Sequence, residues 1–178
     1  KVIKDIKIGP SPLWMQRTLM DAGMRPINNI VDVTNFVMLE LGQPLHAYDL
    51  KALEGRKLIA RRTEKGEKIV TIDQNERNLD ENMLVIADGE KPACIAGVMG
   101  GYHSEISENT KIMVLESANF NPKSIRETSK KLGMRSEASA RNEKPMGHVM
   151  TELAAKRACQ LIEMIGAGTV VGGYLEAG

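Results

Sequence analysis

Apolar side chains recur every three or four residues in several stretches of the chain, a spacing that predicts helices buried along one face. Ser11 with Pro12 caps the first stretch, Asn28 or Asn29 opens the second, and glycines close each one. The second stretch also has the β-branched content of a strand. The predicted helices cover residues 11–23, 28–42, 121–133 and 150–165. Their inward-facing side chains are Met15, Leu19 and Ala22, then Ile30, Val33, Val37 and Leu41, and finally Leu153, Ala154, Ala158, Leu161 and Ile165.

Between residues 57 and 117 the pattern changes to short apolar or alternating runs, which predict strands separated by turn residues. The predicted strands are 57–62, 68–72, 83–87, 93–98 and 112–117, and a last one follows at 169–171. This order predicts an α+β fold: two N-terminal helices, a central mostly antiparallel β region, then helices and a terminal strand.

Composition narrows the class of protein. Hydrophobic residues make up 42% and charged residues 26% of the 178 positions, at a mean hydropathy of -0.25, which is typical of a soluble globular chain. No apolar run approaches the roughly 20 residues of a spanning helix, so we expect no membrane segment. The chain begins with Lys1 and not with Met, which favours a piece of a longer polypeptide.

Charge and cysteine content exclude further kinds of site. Lys and Arg number 24 and Asp and Glu 23, a net charge of +1. This excludes a surface that wraps nucleic acid over many phosphates, but it leaves contact with RNA at one edge open. Cys94 and Cys159 lie in apolar contexts without metal-binding spacing, which predicts neither a disulfide framework nor a metal site. We therefore expect a reduced, cytoplasmic protein.

Short polar side chains lie on and just after the second predicted helix. Asn28, Asp32 and Asn35 form one stripe with Thr34 beside it. Spacing alone favours a solvated face, although amides and hydroxyls also suit directed hydrogen bonding. His46 follows on what Gly and Pro indicate is a short, stiff loop. A single His is more often structural than catalytic, and no second His lies near enough in sequence to predict a metal site.

Glu116 is the most informative single residue. It follows the run Ile-Met-Val-Leu, in which both faces are apolar, so the predicted strand is buried on both sides. A carboxylate there costs free energy unless it is paired or receives hydrogen bonds. Two roles stay open: an ion pair with an arginine, and an acceptor that lines a pocket with a raised pKa.

Three other features have both a structural and a ligand-binding interpretation. The glycine-rich residues 97–101 form a tight turn or let backbone approach a ligand, and they lack the pattern of a nucleotide-binding loop. Lys123, Arg126 and Lys130 share one face of the third predicted helix, either solvated or in contact with phosphates. The small residues at 136–139 suit a pocket wall, without the motif of a nucleophilic serine.

Several segments together resemble one family. They read RPINNIVDVTN at 25–35, GQPLHAYD at 42–49, AGVMGG at 96–101, LESA at 115–118 and LGMRSEAS at 132–139. In this order they resemble the β subunit of bacterial phenylalanyl-tRNA synthetase, in the central domain that edits mischarged tRNA. The resemblance is close over residues 7–141 and looser over the last predicted helix.

The resemblance implies a hydrolase that clears tRNA(Phe) wrongly charged with tyrosine. Glu116 matches the family's Glu that binds the phenolic hydroxyl, and a carboxylate that phenylalanine leaves unpaired discriminates strongly. His46 and Arg25 match positions at the terminal adenosine and the ester. The other matching pocket positions are Thr34, Asn35, Pro44, Gly100, Ser136 and Ala138.

The implied mechanism is attack by a positioned water on the ester carbonyl, with catalytic roles for His46 and Glu116 and no covalent nucleophile. Residues 7–178 would be one editing-type domain of a longer synthetase β chain, and residues 1–6 an interdomain segment. The implied partners are the 3′ end of tRNA(Phe), the α subunit and the remaining β domains, in an (αβ)2 heterotetramer. No cofactor is implied in this chain, whereas ATP and Mg²⁺ belong to the parent enzyme.

One segment departs from the family and two other functions stay open. Residues 142–148 read NEKPMGH, where the family usually has an aromatic, Glu, a basic residue and then Gly-Val-Asp-Pro. The first alternative is a non-catalytic module that docks tRNA or forms a subunit interface, for which Lys123, Arg126 and Lys130 are candidate RNA contacts. The second is a free-standing deacylase or small-ligand-binding protein.

Overall fold

The computed structural model describes residues 1–177, which divide into two compact units. The first unit is built from three separate segments: Lys1–Leu50, Ile106–Ala118 and His148–Gly178. The second consists of Lys51–Glu105 and Asn119–Gly147. Each unit has its own cluster of buried apolar side chains.

Residues 1–177 form five α-helices, ten strands and three short 3-10 helices. The α-helices are α1 (Leu13–Asp21), α2 (Asn29–Leu41), α3 (Pro122–Leu132), α4 (Glu137–Asn142) and α5 (His148–Met164). The strands are β1 (Val2–Lys4), β2 (Leu45–Asp49), β3 (Ile59–Arg62), β4 (Lys68–Val70), β5 (Glu76–Asn78), β6 (Leu84–Ala87), β7 (Pro92–Ile95), β8 (Met99–Gly100), β9 (Ile112–Ser117) and β10 (Thr169–Val170). The 3-10 helices are Leu50–Ala52, Glu54–Arg56 and Tyr102–Ser104.

The first unit is a four-stranded antiparallel sheet with α1, α2 and α5 packed on one face. The strand order is β10-β1-β9-β2. Because side chains alternate along a strand, Met113 and Leu115 of β9 join Ile3 and Ala47 in the apolar cluster that the three helices complete. The same alternation directs Glu116 to the opposite face of the sheet.

The second unit contains the sheet β3-β6-β7-β8, the hairpin β4-β5 and helices α3 and α4. Its apolar cluster is formed by Ile69, Leu79, Met83, Val85, Ile95, Val98, Ile125 and Met134. The turn after β7 depends on Gly97, whose φ of +67° favours glycine. A Cβ at this position would lie 2.9 Å from Phe120, so the close packing also requires glycine.

The predicted α+β fold and its order of elements are confirmed. The four predicted helices are present, and β9 has the predicted bounds. Among the helices and strands of residues 1–177, α4 and the strands β1, β2, β5 and β8 lie outside the predictions, as do the three short 3-10 helices. His46 was expected on a loop, which is wrong, because it lies within β2. The boundary between residues 1–6 and a domain 7–178 stays a prediction, although Val2–Lys4 pairs with both β9 and β10.

Several predictions made from local sequence are wrong because tertiary packing places the side chains differently. Pro12 is the N-cap of α1 and makes no side-chain cap, since the Ser11 hydroxyl donates instead to Asp32 of α2 at 2.5 Å. Asp32 is 1% exposed, so the polar stripe on α2 is not a solvated face. Ala22 and Leu153 were expected to face inward but are exposed.

The carboxylate of Asp32 ties the start of α2 to the segment before α1. It accepts hydrogen bonds from the Ser11 hydroxyl and from the backbone N–H of Ile27, the latter at 2.8 Å. We expect Asp32→Ala to lower the free energy of unfolding by about 2–3 kcal/mol, because it leaves two donors without their charged acceptor. Urea unfolding followed by circular dichroism measures this. Asp21→Ala is the control, since Asp21 is exposed at the end of α1 and should change stability by less than about 0.5 kcal/mol. Equal effects of the two substitutions would contradict this role of Asp32.

Candidate functional site

The residues predicted for the site fall into both units. The first unit contains Arg25, Thr34, Asn35, Pro44, His46 and Glu116. The second contains Gly100, Lys123, Arg126, Lys130, Ser136 and Ala138. Within the first unit the structure brings His46 and Glu116 together, and within the second it groups the basic side chains on α3.

His46 and Glu116 meet through the pairing of β2 with β9. The two residues lie directly opposite each other, and Tyr48 lies opposite Val114. Since residues two apart on a strand share a face, His46, Tyr48 and Glu116 lie on one face of the sheet. This is the face opposite the one that packs against the helices.

Glu116 is held by Tyr48. The phenolic hydroxyl of Tyr48 donates a hydrogen bond of 2.5 Å to Oε2 of Glu116. Burial raises the pKa of the Glu116 carboxyl, and the Tyr48 hydrogen bond partly offsets this rise because it stabilises the charged form. Glu116 forms no ion pair with any residue that the structure describes, so its partner is a phenol and not an arginine. The expectation of burial on both sides is wrong at the start of the strand, where Ile112 is 41% exposed.

His46 is a neutral imidazole. Its ring packs edge-on against Tyr48, with centroids 4.4 Å apart and planes at 85°. Burial lowers the pKa of His46 to about 4, because the charged ring would lose its hydration. Its Nε2 is shielded from solvent and has no hydrogen-bond partner within residues 1–177. This nitrogen can accept or donate one hydrogen bond, depending on the tautomer, while the ring is a weak base at neutral pH.

The other predicted residues of the first unit support this strand pair or lie apart from it. Pro44 is buried immediately before β2, where the buried side chain of Gln43 donates hydrogen bonds to the carbonyl oxygens of Pro44 and Ala118. The hydroxyl of Thr34 donates to Val31 within α2. Two side chains form no hydrogen bond with any of residues 1–177: Asn35, which is half-buried on α2, and Arg25, which is exposed between α1 and α2.

In the second unit the small residues around 136–139 form a helix cap. The Ser136 hydroxyl donates to the Val98 carbonyl at 2.7 Å and accepts from the Ser139 N–H at 3.0 Å. Asn142 donates to the Gly97 carbonyl, so α4 is tied at both ends to the glycine turn. This favours the tight-turn interpretation of residues 97–101. Gly100 lies buried in β8, and Ala138 is half-buried in α4.

The basic side chains of α3 are exposed. Lys123 lies 3.9 Å from Glu127, a weak ion pair, and Arg126 donates to the Glu143 carbonyl. Lys130 has no ion pair with a described residue. A cavity of about 300 Å³ lies beside Arg126, Lys130 and Arg135. The arrangement leaves cationic groups at the surface, where a phosphate could meet them.

Tyr48 is the main residue of the strand pair to which the sequence interpretation gave no role. Its position two residues after His46 would have indicated a shared face, but only if the segment had been assigned to a strand. The glycine and proline just before it favoured a loop. Its contact with Glu116 also depends on the register between two strands that are distant in sequence.

Two kinds of feature are absent from residues 1–177. They contain no group of three or more His, Cys, Asp or Glu side chains placed to hold a metal ion. None of their helices has both the length and the apolar character needed to cross a membrane.

Residues 1–167 match the family described as the B3/4 domain. The chain therefore belongs to the B3/4 domain family.

Its relatives include proteins named phenylalanine–tRNA ligase beta subunit. The protein of Clostridium acetobutylicum is 52% identical over 176 residues, that of Halalkalibacterium halodurans 50% over 177 and that of Bacillus subtilis 50% over 176. Each alignment covers 99% of this chain and 22% of the relative. The chain thus spans less than a quarter of the length of these relatives.

The buried imidazole of His46 makes stability depend on pH. The unfolded chain binds a proton at His46 below about pH 6.5, the ordinary value for imidazole, whereas the folded chain binds it only below about 4. The contribution of neutral His46 to the free energy of unfolding is therefore complete above about pH 6.5. It is lost as the pH falls towards about 4. We expect His46→Gln to lack this part of the pH dependence. Glu116 contributes to both proteins, so its titration largely cancels in the comparison.

Urea unfolding of both proteins between pH 4 and pH 8, with NMR titration of the His46 ring, measures this. An imidazole that titrates near its ordinary value, with parallel stability curves for the two proteins, would show that His46 is not buried in this way.

Proposed function

We propose that the chain is an editing domain of a phenylalanine–tRNA ligase β subunit and that it hydrolyses the ester of tRNA(Phe) mischarged with tyrosine. The observation that carries the proposal is the carboxyl of Glu116, a half-buried residue of β9 whose pKa is raised by desolvation. Tyr48 donates a hydrogen bond to one of its oxygens, Oε2, and none of residues 1–177 donates one to the other, Oε1. The names of the relatives are consistent with this assignment.

A carboxylate in this setting discriminates between tyrosine and phenylalanine. A tyrosyl group brings a phenolic hydroxyl that can donate to Oε1 of Glu116. A phenylalanyl group of almost the same shape would displace solvent from the carboxylate without replacing its hydrogen bond. Leaving a charged acceptor unpaired costs more than an ordinary lost hydrogen bond, and sites of this kind discriminate strongly.

The reaction needs little chemical assistance from the protein. A water oxygen attacks the ester carbonyl, the bond from that carbon to the ribose oxygen breaks, and the ribose oxygen takes up a proton. An aminoacyl ester is already activated, so positioning and hydrogen bonding can supply the acceleration. In this proposal neutral His46 orients the water or the ester through Nε2. A ring with a pKa of about 4 is a poor general base at neutral pH.

The remaining residues have proposed roles in binding. Arg25 would contact the terminal adenosine, and the basic face of α3 would contact phosphates of the tRNA. Further pocket positions are proposed at Thr34, Asn35, Pro44, Gly100, Ser136 and Ala138. The proposed partners are the 3′ end of tRNA(Phe), the α subunit and the other β domains, in an (αβ)2 heterotetramer. ATP and Mg²⁺ would act at the aminoacylation site of that enzyme and not in this chain.

A second candidate function is a non-catalytic module that docks tRNA. The exposed Lys123, Arg126 and Lys130 favour it, and it requires neither a buried carboxylate nor an unpaired imidazole nitrogen. Hydrolysis of the ester distinguishes the two functions.

The test compares deacylation of Tyr-tRNA(Phe) and Phe-tRNA(Phe) by the chain at high concentration and by the assembled synthetase. We expect faster release of tyrosine than of phenylalanine. Glu116→Gln should reduce the tyrosine preference by about 10- to 100-fold, the usual worth of a hydrogen bond to a charged group. Glu108→Gln is the matched control, because Glu108 is exposed, and it should leave the preference unchanged.

Two results would count against editing. Absence of hydrolysis by the synthetase, with tRNA binding intact, would favour the docking module. An unchanged tyrosine preference in a folded Glu116→Gln protein would show that another group recognises the phenol.

A further inference from the structure

We propose that Tyr48 is a positioning residue that determines tyrosine specificity, because its hydroxyl fixes the Glu116 carboxylate with Oε1 left for a second phenol. This inference rests on the proposed function of Glu116. In this proposal, Tyr48 orients the Glu116 carboxylate, which accepts a hydrogen bond from the tyrosyl hydroxyl of the substrate.

The geometry restrains Glu116 at one oxygen. A glutamate side chain has three rotatable bonds, so an unrestrained carboxylate could turn either oxygen towards a ligand. The 2.5 Å hydrogen bond from Tyr48 engages Oε2, and a carboxylate still has several free lone-pair sites after accepting one donor. A second donor therefore meets an acceptor whose orientation is already fixed, which lowers the entropy lost on binding.

Tyr48 is itself firmly held. It is fully buried, lies opposite Val114 in the paired strands and packs edge-on against the His46 ring. One aromatic ring thus contacts both residues that the proposal places at the ester and the phenol. Packing alone needs only the ring, which phenylalanine would also supply. The hydroxyl is what a positioning role requires, and Tyr48→Phe removes it with little change in volume.

The hydrogen bond from Tyr48 also favours the charged form of Glu116, against the effect of burial. The groups that face it are His46 on β2, which burial keeps neutral, and Tyr48 itself. On the β1 side, the N-terminal amine of Lys1 donates to the carbonyl of Leu115 at 3.0 Å, and Lys4 lies opposite Ile112, four residues along β9 from Glu116. Burial and the Tyr48 hydrogen bond are the two causes of the shift in the Glu116 pKa, and no charged residue contributes to it. Removing the hydroxyl therefore raises this pKa further.

The experiment measures deacylation of Tyr-tRNA(Phe) and Phe-tRNA(Phe) by the assembled synthetase carrying Tyr48→Phe, across a range of pH. We expect the tyrosine preference to fall by about 5- to 10-fold, the usual worth of one hydrogen bond. The tyrosine preference is expected to decline at low pH as Glu116 is protonated, and we call this decline the acidic limb. It should move to higher pH in Tyr48→Phe, because Glu116 then becomes protonated sooner as the pH falls. Tyr102→Phe is the matched control, since Tyr102 is exposed and should change neither quantity.

A second substitution tests the same bond in the opposite direction. Replacing Tyr48 by 3-fluorotyrosine keeps the ring and makes the hydroxyl a stronger donor. The acidic limb should then move to lower pH. This result does not depend on whether Tyr48→Phe folds normally.

The outcomes separate the two proposals. A wild-type enzyme that prefers tyrosine, with no change in preference or pH profile on either substitution, would overturn the role of Tyr48 and leave that of Glu116 intact. A wild-type enzyme without tyrosine preference would overturn the proposed function, and the role of Tyr48 with it. Both proposals are supported if Tyr48→Phe reduces the tyrosine preference and the two substitutions shift its pH dependence in opposite directions.

Discussion

The register between β2 and β9 is the constraint on which the first unit and its candidate site depend. In this register Ala47 and Leu115 face the helices, while His46 and Glu116 share the other face. Because side chains alternate along a strand, a slip by one residue would bury the carboxylate in the apolar core and remove apolar groups from it. The free energy of packing α1, α2 and α5 on the sheet therefore also fixes the position of the site. The same strand pairing therefore stabilises the unit and positions the side chains of the candidate site.

The polar face of this strand pair is unfavourable in itself. It has a half-buried glutamate whose carboxyl has a raised pKa, and an imidazole whose Nε2 lacks a partner within residues 1–177. Buried polar groups that are only partly satisfied reduce stability, and proteins retain such groups mainly at functional sites. A charged partner for Glu116 would reduce this cost, but it would also occupy the acceptor. The phenol of Tyr48 instead supplies one neutral donor and leaves one oxygen for another, so the acceptor is oriented without being neutralised.

Local signals in the sequence were sufficient for much of the fold. Helical spacing and glycine stops located α1, α2, α3 and α5, and the alternation and apolar content of β9 drew attention to Glu116. Tertiary relations were not accessible in this way. The segment from Gly42 to Asp49 carries loop signals, yet its residues Leu45–Asp49 form a strand that pairs with β9. Ser11 has the residue type of a helix cap but bonds to Asp32, which the fold brings close. The role of Tyr48 needs the cross-strand register, which no single segment contains.

In the proposed function, the Glu116 carboxyl receives the phenol of a mischarged tyrosine. The most direct test is a crystal structure with adenosine that carries tyrosine on its 3′ position through a non-hydrolysable amide. We expect the phenolic oxygen of the ligand within about 3 Å of Glu116 Oε1, the usual hydrogen-bond distance, with the Tyr48 hydroxyl still bound to Oε2. A ligand phenol bound elsewhere, or a Tyr48 hydroxyl displaced from Glu116 by the ligand, would contradict it.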